Sequence, residues 1–227
     1  MGSDDLFKKR RQERQKRKFA YQNPKANSYP IVTEGERTEP LYFRGLAKRI
    51  SEKTGGNVNV YEMPMIDIHG EGCSTGALIK KAEELANKSK IIYENIWVVF
   101  DKDDFLDFDD AIALGESKGF HVAWSNQCFE YWLYMHFHYS DSALHRDDWF
   151  QKLTDIFQEN HIGDDRYQKN YESIYDMLEQ YGNIEAAIAN AKRRMSCFDK
   201  NRQSPSSLDP VTTVHILVQN LKKYLDE

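Results

Sequence analysis

The chain has 227 residues, 40% of them hydrophobic and 30% charged, with a formal net charge of −5. That length can bury a sizeable core in one domain or one and a half, and no apolar run approaches the roughly 18 to 20 residues of a membrane span. The N-terminus carries charge without an apolar stretch behind it, which is not the pattern of a secretory signal, so a cytoplasmic location is expected. Cys73, Cys128 and Cys197 are odd in number and far apart in sequence. They form neither a disulfide framework nor a Cys-x-x-Cys metal knuckle.

The first segment is basic. Lys8, Lys9, Arg10, Arg11, Arg14, Lys16, Arg17 and Lys18 stand against Asp4, Asp5 and Glu13, so residues 1–18 carry +5 and leave −10 for the rest. Such a block is either a solvated tail or a nucleic-acid-binding arm that displaces counterions from phosphates. A polar linker, residues 22–28, leads into an apolar strand, Tyr29 to Thr33, which ends abruptly at Glu34. Pro40 suits the first turn of a helix that follows Glu39 and runs to about Glu52.

A second strand is expected between Asn57 and Ile68. The glycine-rich stretch 69–76 then opens a helix over Ala77 to Lys88, and it serves either as an ordinary turn or as a phosphate cradle. Asn95 to Phe100 reads as a third strand, ending in Asp101-Lys102-Asp103-Asp104. A helix over Asp107 to Ser117 and a strand over Gly119 to Trp124 follow. Gln127 to His138 is apolar on nearly every side and predicts a buried helix. Within it Cys128 reads as an inert buried thiol, and Glu130 as a paired core acid or part of a site. Four helices are expected beyond it, over 147–158, 171–181, 184–198 and 211–225.

Strands alternating with helices predict an α/β fold whose mostly parallel sheet is flanked by helices, with a helical C-terminal extension. The expected divisions are a basic arm and linker over 1–28, the α/β domain over 29–140 and a helical region packed on it over 141–227. Open α/β sheets place their sites at the C-terminal ends of strands. Meeting strand ends there would gather Glu34, Glu39, Asp101 and Asp103, whose mutual repulsion calls for a divalent cation. All-oxygen donors favour Mg²⁺, Mn²⁺ or Ca²⁺ over zinc, and the histidines 69, 121, 136 and 138 have no zinc-like spacing. As a group, Asp103, Asp104, Asp107, Asp109 and Asp110 also fit an exposed loop or a helix start.

The stretch Ile31-Val32-Thr33-Glu34-Gly35, with Glu39 beyond it, and Val98-Val99-Phe100-Asp101-Lys102-Asp103 resemble the two signatures of the Toprim superfamily, found in topoisomerases, primases and the overcoming-lysogenization-defect nucleases. The basic arm, the run from Thr33 to Phe43, the box from Asp101 to Asp104 and the run from Ser125 to Leu133 together resemble the RloB family. The likeness returns weakly around residues 209–214. The family usually has Pro after Ser-Asn, where Gln127 stands here. The resemblance implies a Toprim-like sheet and a Mg²⁺- or Mn²⁺-dependent nuclease that acts on RNA or DNA in bacterial antiphage defence and abortive infection, often beside an ATPase partner. It implies that Glu34, Asp101 and Asp103 are catalytic metal-binding residues and that Glu39 serves a second ion. Two cations roughly 3.5 to 4 Å apart can stabilise both the attacking and the leaving oxygen. Glu34 would ligate or act as general base, while Lys102 and Arg37 are either phosphate stabilisers or ordinary solvated charges. The rival readings are a non-catalytic module binding nucleic acid or an ATPase, and an enzyme acting on a nucleotide or small phosphoester.

Overall fold

The computed structural model describes residues 24–25, 28–54, 65–70, 75–89, 92–102, 106–199 and 203–226. The expected basic arm and the first half of the expected second strand lie outside them. The strands are β1 (Pro24–Lys25), β2 (Ser28–Thr33), β3 (Met65–Gly70), β4 (Ile92–Tyr93), β5 (Trp97–Asp101), β6 (His121–Asn126) and β7 (Val211–Thr212). The helices are α1 (Thr38–Thr54), α2 (Thr75–Lys88), α3 (Phe108–Ser117), α4 (Phe129–Tyr134), α5 (Arg146–Glu159), α6 (Ile174–Tyr181), α7 (Ile184–Ser196) and α8 (Val214–Asp226).

The main sheet has the order β3-β2-β5-β6-β7, parallel throughout except for β7, and β1 pairs with β4 in a separate two-stranded ribbon. The expected positions of β2, α1, α2, β5, α3 and β6 agree with the structure to within a few residues. Of the expected second strand only residues 65–68 are described, where they form part of β3, and β4 has no counterpart among the expected elements. Beyond residue 210 the structure differs: the expected helix starts at Val214, and Val211–Thr212 before it joins the sheet beside β6. A two-residue edge strand is too short to show the alternation by which strands are read from sequence.

The strands carry almost unbroken apolar runs because both faces of the sheet are covered. Alternation along each strand divides these residues between two cores. Tyr29, Ile31, Trp97, Val99 and Ala123 pack with α1, α4, α5, α6 and α8. Val32, Val98, Phe100 and Trp124 pack with α2 and α3. The first core is the larger, and it is continuous from β2 into the segments beyond residue 141 through Trp132, Trp149, Tyr167 and Leu217. The Tyr29 and Tyr224 hydroxyls, 3.1 Å apart, join the first strand of the main sheet to α8.

Local chemistry sets the ends of the elements. Helix α3 closes with Gly119 at φ 78°, Gly119 N–H donating to Glu116 O (2.9 Å) and Phe120 N–H to Gly115 O (3.0 Å). That Schellman pattern needs a left-handed residue, for which glycine has no steric cost. Asn183 caps α7 by accepting from Ala186 N–H at 2.9 Å. Helix α4 is shorter than its long apolar segment suggests, covering six residues before the chain turns at 135–137.

Candidate acidic cleft at the sheet switch point

In sequence order the chain passes from β2 to β3 on one side of it, then returns to lay β5 on the other side. Helix α1 covers one face of the sheet, whereas α2 and α3 cover the other. Connections therefore diverge between the C-terminal ends of β2 and β5. In open α/β sheets that divergence leaves the crevice where ligands bind. Glu34 follows β2 directly and Asp101 is the last residue of β5.

The backbone fixes both carboxylates. Glu34 N–H donates to Val99 O at 2.8 Å, carrying the β2–β5 ladder one residue past the strand. Asp101 N–H donates to Glu34 Oε2 at 3.3 Å, and Thr75 Oγ1, at the start of α2, donates to Glu34 Oε1 at 3.3 Å. Asp101 Oδ2 accepts from Phe129 N–H at 2.9 Å, in the first turn of α4. Thr33 Oγ1 donates to Gly35 O at 2.8 Å and tightens the turn leaving β2. After that turn α1 begins and carries Glu39 inward, where it is 8% exposed. A Cβ at Gly35 would lie 2.6 Å from Glu39 Cδ, so the Glu39 carboxyl group packs over a position that only glycine leaves open.

Glu34, Glu39, Asp101 and Glu130 line one cavity of about 490 Å³, together with the cations Arg37, Arg146 and Lys169. Burial, reinforced by the charges of Glu130 and Glu34, pushes the Glu39 carboxyl up to about 7, against the opposing pull of its own backbone N–H and of Lys169. Glu130 is both things its sequence position suggests, a paired core acid and part of the cleft. Its Oε1 accepts from Tyr167 Oη at 3.1 Å and lies 3.2 Å from Lys169 Nζ. Burial first, then the Glu130 and Asp101 carboxylates, hold the Cys128 thiol well above its usual range. It is protonated and 2% exposed, an inert thiol as its apolar surroundings predict.

The cleft thus unites Glu34, Glu39 and Asp101 as the sequence reading expects. Asp103 and Asp104 lie outside the described residues, as does every basic residue from Lys8 to Lys18. Arg37 lines the cleft, whereas Lys102 is not among its lining residues and its N–H donates to Ser125 O at 2.9 Å. Asp107 stands at the N-cap of α3, and Asp109 accepts from Ser206 N–H at 2.8 Å, fastening the 205–207 turn. The peptide joining Asn126 to Gln127 is cis. Sequence reading missed Arg146, Tyr167 and Lys169. Their only signal is three polar groups scattered through helical and loop sequence, which nothing local ties to residues 34 or 101.

Among the described residues no three His, Cys, Asp or Glu side chains are grouped so as to hold one metal ion. The donors present nevertheless fit a hard cation. They are all carboxylate oxygens, two of them on adjoining strand ends, and the raised Glu39 records first its burial and then the neighbouring charges of Glu130 and Glu34. Mg²⁺ is commonly bound through one or two carboxylates, with water and substrate phosphate completing its shell.

Fold and cleft together define an α/β protein with an acidic crevice at the switch point of a mostly parallel sheet. The chain belongs to the RloB-like family, whose model, described as RloB-like protein, matches residues 29–221. No curated protein and no solved structure matches it. Among the described residues no helix is long and apolar enough to cross a membrane.

Proposed function

We propose that this chain is a Toprim-type, metal-dependent nuclease that hydrolyses phosphodiester bonds of RNA or DNA. The observation that carries the reading is the pairing of Glu34 and Asp101 at the two strand ends of the switch point, joined by the 3.3 Å bond from Asp101 N–H to Glu34 Oε2. Family membership supports placing the activity in bacterial antiphage defence, in the cytoplasm and with an ATPase as partner.

Glu34 and Asp101, with Glu39 and Asp103, would hold Mg²⁺ or Mn²⁺, which supplies positive charge to phosphoryl oxygens as negative charge develops on them. The chain's own contribution is pre-orientation. Glu34 is held by a backbone N–H and a threonine hydroxyl, and Asp101 by the first turn of α4, so neither carboxylate has to reorganise during the reaction. The cavity volume suits one linkage with its flanking sugars, so a strand is expected to enter locally unpaired. The basic residues 8–18 would add phosphate contacts along that strand.

The test is cleavage of labelled RNA and DNA pools by the wild type and by Asp101→Asn, with EDTA, Mg²⁺ or Mn²⁺, beside a melting curve for each. Asparagine keeps an oxygen to accept from Phe129 N–H, so the fold is expected to survive. Cleavage is expected to fall about a thousandfold or more, on the order of 4 kcal/mol in the barrier. Equal cleavage by both proteins, or none by the wild type under any condition, would sink the proposal.

A further inference from the structure

An acidic cleft repels the anionic substrate it is meant to cut. Charges fixed a few ångström from an entering phosphodiester must include cations if the strand is to dwell there. Within the cavity lining, the Glu34–Glu39 turn contributes one cation, Arg37, which is exposed and stands beside Glu36. The other two, Arg146 and Lys169, come from the helical half of the chain.

Lys169 is a held cation. Its carbonyl accepts from Thr38 Oγ1 at 3.0 Å, tying the 160–173 loop to the start of α1. Its Nζ lies 3.2 Å from Glu130 Oε1, and Tyr167 Oη donates to that same oxygen. An ammonium has three N–H donors. Glu130 occupies one of them, and the Lys169 side chain is still 58% exposed. Burial works to lower the Lys169 pKa, but Glu130 outweighs it, so the ammonium stays charged. Arg146 is the first residue of α5, a helix seated by Trp149, which is fully buried with its ring 4.7 Å from that of Tyr131. A guanidinium on such a base can meet two phosphate oxygens at once.

We infer that Arg146 and Lys169 form the phosphate-binding wall of this cleft, with Glu130 positioning Lys169. The inference rests on the nuclease reading for its purpose but makes a separate claim about binding. The ligand is the phosphodiester backbone of a single strand, with ribose and deoxyribose distinguished by experiment.

The experiment measures binding of short labelled RNA and DNA single strands in Ca²⁺ across a salt series, using the full chain as wild type, Arg146→Ala, Lys169→Gln and Lys169→Arg. Cleavage in Mg²⁺ and a melting curve accompany each protein. Arg146→Ala and Lys169→Gln are each expected to weaken binding roughly tenfold and to reduce the salt slope by about 0.7, the loss of one phosphate contact on a single strand. Lys169→Arg is expected to bind like the wild type. The basic N-terminal residues contribute equally to all four proteins and cancel in the comparison. Wild-type affinity and slope in both folded variants, or no binding of either strand by the wild type, would overturn the inference. If the wild type binds but cuts nothing, and the variants bind more weakly, the nuclease reading falls and the wall stands. If all four proteins cut and both variants keep the wild-type binding constants, the wall falls and the nuclease reading stands. Should Lys169→Gln fail to fold because Glu130 has lost its counter-charge, Arg146→Ala decides alone.

Discussion

The two halves of the molecule reach the same cleft by different means. On the sheet side Glu34 and Asp101 arrive on short side chains at the ends of β2 and β5, placed by strand register and held by backbone groups. On the helical side Arg146 and Lys169 arrive on long side chains from a helix start and a loop, placed by how α5 and the 160–173 loop pack against α1 and α4. The sheet side carries charge that can vary little in position. The helical side carries charge whose position depends on the integrity of the larger core. Damage to that core should therefore dismantle the cationic side first, whereas damage to the strand ends should remove the acids and leave the fold intact.

Trp149→Ala gives the largest break of that contrast in stability. Removing a fully buried indole that packs between Tyr131 and Tyr134 is expected to cost about 3 to 5 kcal/mol by chemical denaturation. A cost under about 1 kcal/mol would mean that α5 does not share the sheet's core.

His136 tests the seam between the halves. It is buried, its Nδ1 3.1 Å from Trp132 O and its Nε2 3.4 Å from Tyr42 Oη, and its carbonyl accepts from Asn183 N–H at 2.8 Å. Burial lowers its pKa to about 4, while in the unfolded chain it titrates near 6.5. Between those values the unfolded state binds the extra proton, so stability is complete above pH 6.5 and drains away as pH falls through 4. The loss attributable to this group is on the order of 3 kcal/mol. Melting curves of the wild type and His136→Phe over this range check it: the variant should decline less, and parallel profiles would refute the assignment.

Glu39 is the acidic counterpart, with the opposite sign. Its folded pKa of about 7 exceeds its unfolded 4.5, so the folded state keeps a proton that the unfolded state releases. Stability drops as pH rises from 4.5 through 7 and stays lowered above it. In metal-free protein at pH 8, Glu39→Gln is expected to gain about 1 to 2 kcal/mol, part of a penalty on the order of 3. The gain should vanish near pH 4, and a destabilised variant at pH 8 would contradict the reading.

Gly35→Ala sharpens the comparison most finely because it moves a carboxylate without changing any charge. The new methyl displaces the Glu39 carboxyl group, the mobile end of its side chain. A stability cost of about 1 kcal/mol is expected, with cleavage falling about tenfold. Wild-type cleavage would show that the position of Glu39 does not matter to the reaction.

The same division governs what is legible in the sequence. The β2 and β5 runs are apolar without alternation because the sheet is covered on both faces, and each ends in an acid. Strand, site and pairing of the acids are therefore legible together. Glu130 stands out as a carboxylate in an aromatic segment, but its partners Tyr167 and Lys169 lie 37 and 39 positions further on, in a loop without periodicity. Arg146 looks like any polar residue that opens an amphipathic helix. Strand β7 reads as the start of a helix because the period of α8 follows so closely behind it.

That late strand has a consequence for the order in which the molecule is made. Val211 pairs with Asn126 and Thr212 with Ser125, and Thr213 N–H donates to Trp124 O at 2.8 Å, beside the strand that ends in Asp101. A ribosome has therefore synthesised every acid and cation of the cleft before it releases the segment that seals the edge of the sheet and the helix that meets Tyr29. Until residues 211–226 emerge, β6 presents an open edge and the larger core lacks Leu217 and Leu221. Nascent chains stalled short of that segment are expected to be cut by protease within the sheet, and chains stalled beyond it to resist. The acidic cleft is complete in sequence well before it is complete in space.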